Sequence, residues 1–216
     1  MNQDNKQPSA VQLHKVLGGL QVYKWHEIDD IPFKNGIYIV FEEGEIYNGF
    51  KRIVRVGTHT GQNRLKKRLK IHFIQEDQYS SIFRKNIGKA MLNRDQDPLL
   101  AKWTLSREKA SKLGAEDKKK IKCVESRVSD YMRGVFTFCV FRVESKDERL
   151  RFEEAIIATL NQAEDFKDSI SDKWLGKSSP EKKISQSGMW LKQGLNAKPL
   201  TNDEMIRLTE LIRSTF

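Results

Sequence analysis

NGIYIVFEEGEIYNGFKRIVRVGTHTGQNRLKKRLKIHF, residues 35–73, reads as two short apolar strands, a turn between them and a basic helix. GIYIVFE is rich in β-branched and aromatic residues, and EEGE is a turn signal. KRIVRVGT alternates apolar and polar positions, so the pair is expected to form an antiparallel hairpin with a longer loop. Asn63 is placed to cap the helix, on which Leu65, Leu69, His72 and Phe73 share one face. Arg68 and His72 stand four residues apart beside that stripe and are neighbours on the helix surface. Gly36-Ile37-Tyr38 opens the first strand, and Val56-Gly57-Thr58 closes the second. A tyrosine, an arginine and a histidine on so small a scaffold suit phosphodiester cleavage. Arginine donates to two phosphate oxygens at once, and histidine holds or passes a proton near neutral pH. A tyrosine takes a proton only where cations or a metal lower its pKa, or where it relays its own.

Residues 1–10 are polar and expected to be disordered, and 11–34 form a short element ending at Ile31-Pro32. SSIFRKNIGKAMLN, residues 80–93, reads as a second helix. Residues 94–130 are polar, with EDKKK in their middle, and are expected to be a helical or mobile insertion. VFTFCVFRV, residues 135–143, suits a central strand. Ser145 and Glu148 make a capping box that starts the helix RLRFEEAIIATL. Residues 162–180 are loop-like, and 202–215 form a terminal helix capped by Asn202 or Asp203. The order is strand, strand, helix, helix, insertion, strand, helix, an α+β pattern with a small sheet covered by helices. The chain divides into an N-terminal extension (1–30), a core (31–161) with a basic insertion at about 74–134, and a C-terminal extension (162–216). That last part places Trp174 and Trp190 in a loop-rich region expected to pack back on the core.

At 216 residues, 38% hydrophobic and 31% charged, the composition is that of a soluble globular protein with room for a sizeable core. The net charge of +10 favours a polyanionic partner, because each phosphate neutralised by Lys or Arg releases condensed counterions. No apolar run approaches the ~20 residues that span a bilayer, and MNQDNKQPSAVQ lacks the pattern of a signal peptide. Cys123 and Cys139 have no metal-ligand spacing and are expected to be reduced, in a cytoplasmic protein.

Glu153 is the most unusual residue by position. Leu150, Ile156, Ile157 and Leu160 spread across one helical face, and Glu153 falls near its middle. A carboxylate in an apolar stripe is costly unless it is paired or binds a cation. Lys66, Lys67 and Lys70 on the first helix, and Arg84, Lys85 and Lys89 on the second, are candidate contacts to a DNA backbone.

Taken together, these residues resemble the GIY-YIG nuclease family, which includes an excision-repair nuclease subunit, homing endonucleases and restriction enzymes. The resemblance rests on GIY at 36–38, VGT at 56–58 followed by LKKRLKIHF at 65–73, and FEEAII at 152–157. It implies a three-stranded antiparallel sheet flanked by helices. It also implies a Mg²⁺- or Mn²⁺-dependent DNA endonuclease serving restriction, defence or repair. Tyr38 is then the general base or relay, and Arg68 contacts the scissile phosphate. His72 matches a position that is His or Tyr in the family, and Glu153 binds the cation. The sequence departs from the pattern in three places. Arg55-Val56-Gly57 lacks the tyrosine of the second tripeptide, and Tyr47, Arg55 and His59 are the candidates to replace it. THTGQN is inserted before the helix, and the family's downstream asparagine falls at Asp165, Asn161 coming too early. The alternative reading is therefore a nucleic-acid-binding module of this fold with weakened catalysis. A single small site suits nicking, with a homodimer for double-strand cuts.

Overall fold

The computed structural model describes residues 7–215, and the expectation of disorder at 1–10 falls mostly outside them. Four antiparallel strands form one sheet in the order β1-β4-β2-β3: β1 (Val22–Tyr23), β2 (Gly36–Tyr47), β3 (Phe50–Gly57) and β4 (Phe136–Arg142). The three expected strands are present. The two-residue β1, an extra edge strand paired with Phe138 and Cys139, is the difference from a three-stranded sheet. The helices are α1 (Ala10–Leu17), α2 (Leu65–Phe73), α3 (Ile82–Arg94), α4 (Leu99–Trp103), α5 (Arg107–Ser111), α6 (Ala115–Val135), α7 (Lys146–Gln162), α8 (Glu164–Asp168), α9 (Lys182–Ser187) and α10 (Asn202–Arg213). The stretch 94–130 is thus helical, and the 21-residue α6 runs straight into β4. No helix among the described residues is long and apolar enough to cross a membrane.

Both faces of the sheet are covered, which explains why the strands read as nearly unbroken apolar runs. Tyr38, Val40, Val54, Phe138 and Val140 face one core with residues of α2, α3 and α6. Ile37, Ile39, Val56, Cys139 and Phe141 face the other with residues of α1, α7 and α10. The register of β2 against β3 passes from Val40↔Arg55 to Phe41↔Ile53, so Val54 is an extra, bulged residue. The backbone groups around the bulge are taken up elsewhere. Trp190 N–H donates to Val54 O at 2.7 Å, and Ile53 N–H donates to His14 Nε2 at 3.2 Å. His14, whose Nδ1 faces Ala10 O at 2.7 Å, is pushed down to about 4 chiefly by burial and stays a neutral acceptor. The exposed edge of β3 is thus closed by α1 and by the segment around Trp190.

The C-terminal part is fastened through two buried carboxylates of β2. Glu42 Oε2 accepts Trp174 Nε1–H and Trp190 Nε1–H, each at 2.8 Å, while Tyr131 O–H donates to Oε1. Glu45 pairs with the buried Arg52, which also donates to Gly188 O at 2.6 Å. Burial raises the Glu42 carboxyl pKa, and three neutral donors stabilise the ionised form. Glu42→Ala strands all three donors in the core. It is expected to cost about 3 kcal/mol or more, seen as a lower urea midpoint with an unchanged slope.

Candidate functional site

The site lies where β3 ends, between α2 on one face of the sheet and α7 on the other. Two glycines create it. A Cβ on Gly36 would lie 2.3 Å from Phe141 O, so only glycine lets β2 start this close to β4. A Cβ on Gly57 would lie 2.2 Å from Tyr38 Oη and 2.3 Å from Cζ, because Tyr38 and Gly57 are cross-strand partners and the phenol lies over the glycine. Gly57→Ala therefore drives a methyl into a buried ring. The expected outcome is about 1–3 kcal/mol of lost stability in thermal unfolding, with displacement of the Tyr38 hydroxyl.

That hydroxyl meets His72 Nε2 at 2.9 Å, and His72 Nδ1 meets Ser81 Oγ, the cap of α3, at 2.7 Å. Tyr38 is 1% exposed and His72 fully buried. Burial, then the charges of Arg55, Arg68 and Arg84, hold the imidazole well below its ordinary pKa, so it is neutral. Arg68, half-buried on α2, has Nη1 3.4 Å from Ser80 O. Glu153, half-buried on α7, accepts the Thr58 N–H at Oε1 over 3.2 Å. Burial raises its carboxyl pKa, against the pull of Arg55, the Thr58 N–H and Arg68. The structure thus gathers Tyr38, His72, Arg68 and Glu153 around Gly57-Thr58.

Of the candidates for the missing tyrosine, the one beside Glu153 is Arg55. It projects on the same face as Tyr38, with its guanidinium 4.7 Å from the Phe83 ring centre and Nη1 donating to Trp190 O. His59 lines the basic groove beside Thr58 and also braces the loop after β3. Its Nδ1 faces Gly61 O at 2.5 Å and its Nε2 faces Gly36 N at 3.4 Å, with its pKa lowered by burial. Tyr47 lies at the far end of β2, where its hydroxyl donates to Asp165 at 2.6 Å beside His14 and Phe166. Neither Tyr47 nor Asp165 belongs to the site. Asn161 donates to Leu195 O at 3.0 Å, likewise a structural bond.

The basic residues separate as well. Arg84 is fully buried, paired with Glu125 at 2.9 Å and donating to Ser129 Oγ and His72 O. The expected DNA contact is therefore corrected: Arg84 supports the His72 turn from inside the core. Lys85 donates to Thr104 O and Leu105 O, and Lys89 pairs with Glu181. Lys66 and Lys70 both reach Asp29. Lys67 is exposed and, with Arg68 and Arg64, lines a groove of about 570 Å³ beside Thr58. Sequence reasoning missed Arg64, which shares this groove, and Ser81, whose signal was its place just before an apolar helix.

Among the described residues no group of three or more His, Cys, Asp or Glu side chains gathers to hold a metal. Glu153 alone still fits a hard cation. Such ions keep several waters and bind through one or two carboxylates plus substrate phosphate, and Oε1 is occupied while Oε2 has no partner among the described residues.

In comparisons with known proteins, the family described as GIY-YIG domain matches residues 9–215. Neither the curated proteins nor the solved structures give a match.

Proposed function

Because the chain belongs to the GIY-YIG family, a family of nucleases, we propose that it is a metal-dependent DNA endonuclease whose site is Tyr38, Arg68, His72, Arg55 and Glu153. The observation that carries this reading is the convergence of those residues on the end of β3, with Glu153 held by the Thr58 N–H and a basic groove beginning at the same Thr58. The scissile phosphate docks against Arg68 from the groove side, with Arg64 and Lys67 on the flanking backbone. Glu153 would hold one Mg²⁺ or Mn²⁺, which when bound supplies Lewis-acid stabilisation of charge on the phosphate and leaving oxygen. Tyr38 orients the attacking water. The neutral His72 accepts the phenol proton at Nε2 and donates from Nδ1 to Ser81, which fixes the phenol oxygen. Thr58 N–H orients Glu153.

The experiment is nicking of supercoiled plasmid with Mg²⁺ or Mn²⁺. Cleavage that disappears with chelator is expected, and DNA binding without cutting under every metal tested would overturn the reading. One observation favours a second reading, a DNA-gripping module with weakened catalysis: Arg55 stands where the family has its second tyrosine. The same assay separates the two.

A further inference from the structure

Glu153 lines a second cavity, of about 320 Å³, whose lining shares no residue with the basic groove. Its lining differs in kind. Ile82, Ile157 and Leu191 give it apolar walls, and its polar lining joins Arg55, Asn86 and Glu153 to Glu154, Lys192 and Gln193. Its size falls at the small end of ligand sites, roughly 300–1,000 Å³, so it admits one nucleotide and excludes a duplex. Two polar groups of these side chains, Arg55 Nη2 and Asn86 Nδ2, have no hydrogen-bond partner among the described residues and are not enclosed, whereas Arg55 Nε and Asn86 Oδ1 are unpartnered but shut off from solvent. Both open groups are donors, suited to the acceptor atoms of a base edge. Ile82, at the rim, is 44% exposed despite its size.

From this we infer that the cavity receives a single unpaired nucleobase next to the scissile phosphate, so that the enzyme's substrate class is DNA with an unpaired nucleotide at the cut. This rests on the reading of DNA as the substrate. A strand lying on the Arg64-Lys67-Arg68 groove and crossing Glu153 delivers its next nucleotide here. An extruded base needs apolar surfaces to replace stacking and hydrogen bonds to its edge. Ile82, Ile157 and Leu191 supply the first, and the Asn86 amide with the Arg55 guanidinium supplies the second. A paired base would first have to leave its stack, so an already unpaired one is favoured.

Binding in chelator tests this independently of cleavage. A forked DNA with single-stranded arms is scanned with 2-aminopurine at successive positions around the junction and compared with matched duplex of the same length at the same salt. The expected result is at least tenfold tighter binding of the fork, with emission rising at one position as that base leaves its stack. Ile82→Trp plugs the cavity mouth from an exposed position. It should abolish both the preference and the emission change while leaving matched-duplex affinity and thermal midpoint unchanged. Equal affinity for fork and duplex, no position that brightens, or an Ile82→Trp protein that keeps both effects would each overturn the inference. Cleavage of matched duplex alongside any of these leaves the nuclease reading standing, whereas a brightening base without cleavage under any metal removes the nuclease reading and leaves the cavity's role intact.

Discussion

Glu153→Ala is expected to lower metal-dependent cleavage by about 10³-fold or more while changing DNA affinity only a few-fold. The argument is one of position. Glu153 is the carboxylate held by the Thr58 N–H, and the adjacent Glu154 is exposed and makes no such bond among the described residues, so it does not take over the same place. The loss of a preorganised stabiliser of transition-state charge is worth roughly 10²–10³ by itself, and loss of the ion adds to it. On the proposed reading affinity rests on Arg64, Lys67 and Arg68 of the basic groove, which the variant keeps. Glu153→Gln sharpens the test. It retains the side-chain length and an oxygen for the Thr58 N–H, yet removes the charge. Burial raises the folded-state pKa of this carboxyl, so the folded protein binds the proton more tightly than the unfolded chain. Stability from this group is therefore present at low pH and lost as pH rises through the folded pKa. At neutral pH without metal, Glu153→Gln should accordingly melt higher than the wild type, each kcal/mol being worth about 2–4 °C in a protein of this size. The two readouts move in opposite directions, as expected of a residue held for chemistry. Full cleavage in Glu153→Ala would sink the assignment.

What the sequence made legible was what is local. The strands at 36–42, 51–58 and 135–143 announce themselves by runs of β-branched and aromatic residues. Arg68, His72 and Glu153 stand out because helical periodicity fixes their neighbours. The edge strand β1 carries no such signal, since two residues become a strand only by pairing with β4, more than a hundred positions away. Arg84 was unreadable for a related reason. Phe83, Arg84, Asn86, Ile87 and Gly88 are all buried, so α3 has no broad polar face to betray which charge points inward. The partner that settles it, Glu125, lies on α6 in the stretch read as an insertion. Tyr47 failed as a candidate because strand direction, not residue type, decides what meets the site. Nine residues along a strand is roughly 30 Å.

Arg55→Ala is expected to lower the cleavage rate at saturating DNA by about 10²-fold, the second-largest effect on the site. Arg55 is the first charge acting on both His72 and Glu153, yet it forms no ion pair with the glutamate. That gap suits a phosphate oxygen. The guanidinium is held on two sides, by the Phe83 ring and by Trp190 O, and is therefore preorganised where charge develops. A tyrosine in the second tripeptide would offer one donor and no charge at this place. Arg55 offers a full positive charge acting on both His72 and Glu153, where a tyrosine would be neutral. Arg55→Lys separates charge from geometry. It keeps the cation but loses the planar fork and the stacking on Phe83, so its rate should fall between wild type and Arg55→Ala. Truncation also frees Trp190 O and the Phe83 face, with an expected stability loss of about 1–3 kcal/mol, so rates are compared below the melting range of each variant. If Arg55→Ala cuts within about threefold of the wild-type rate while only its melting temperature drops, Arg55 is a brace for the C-terminal segment, and Arg68 works alone.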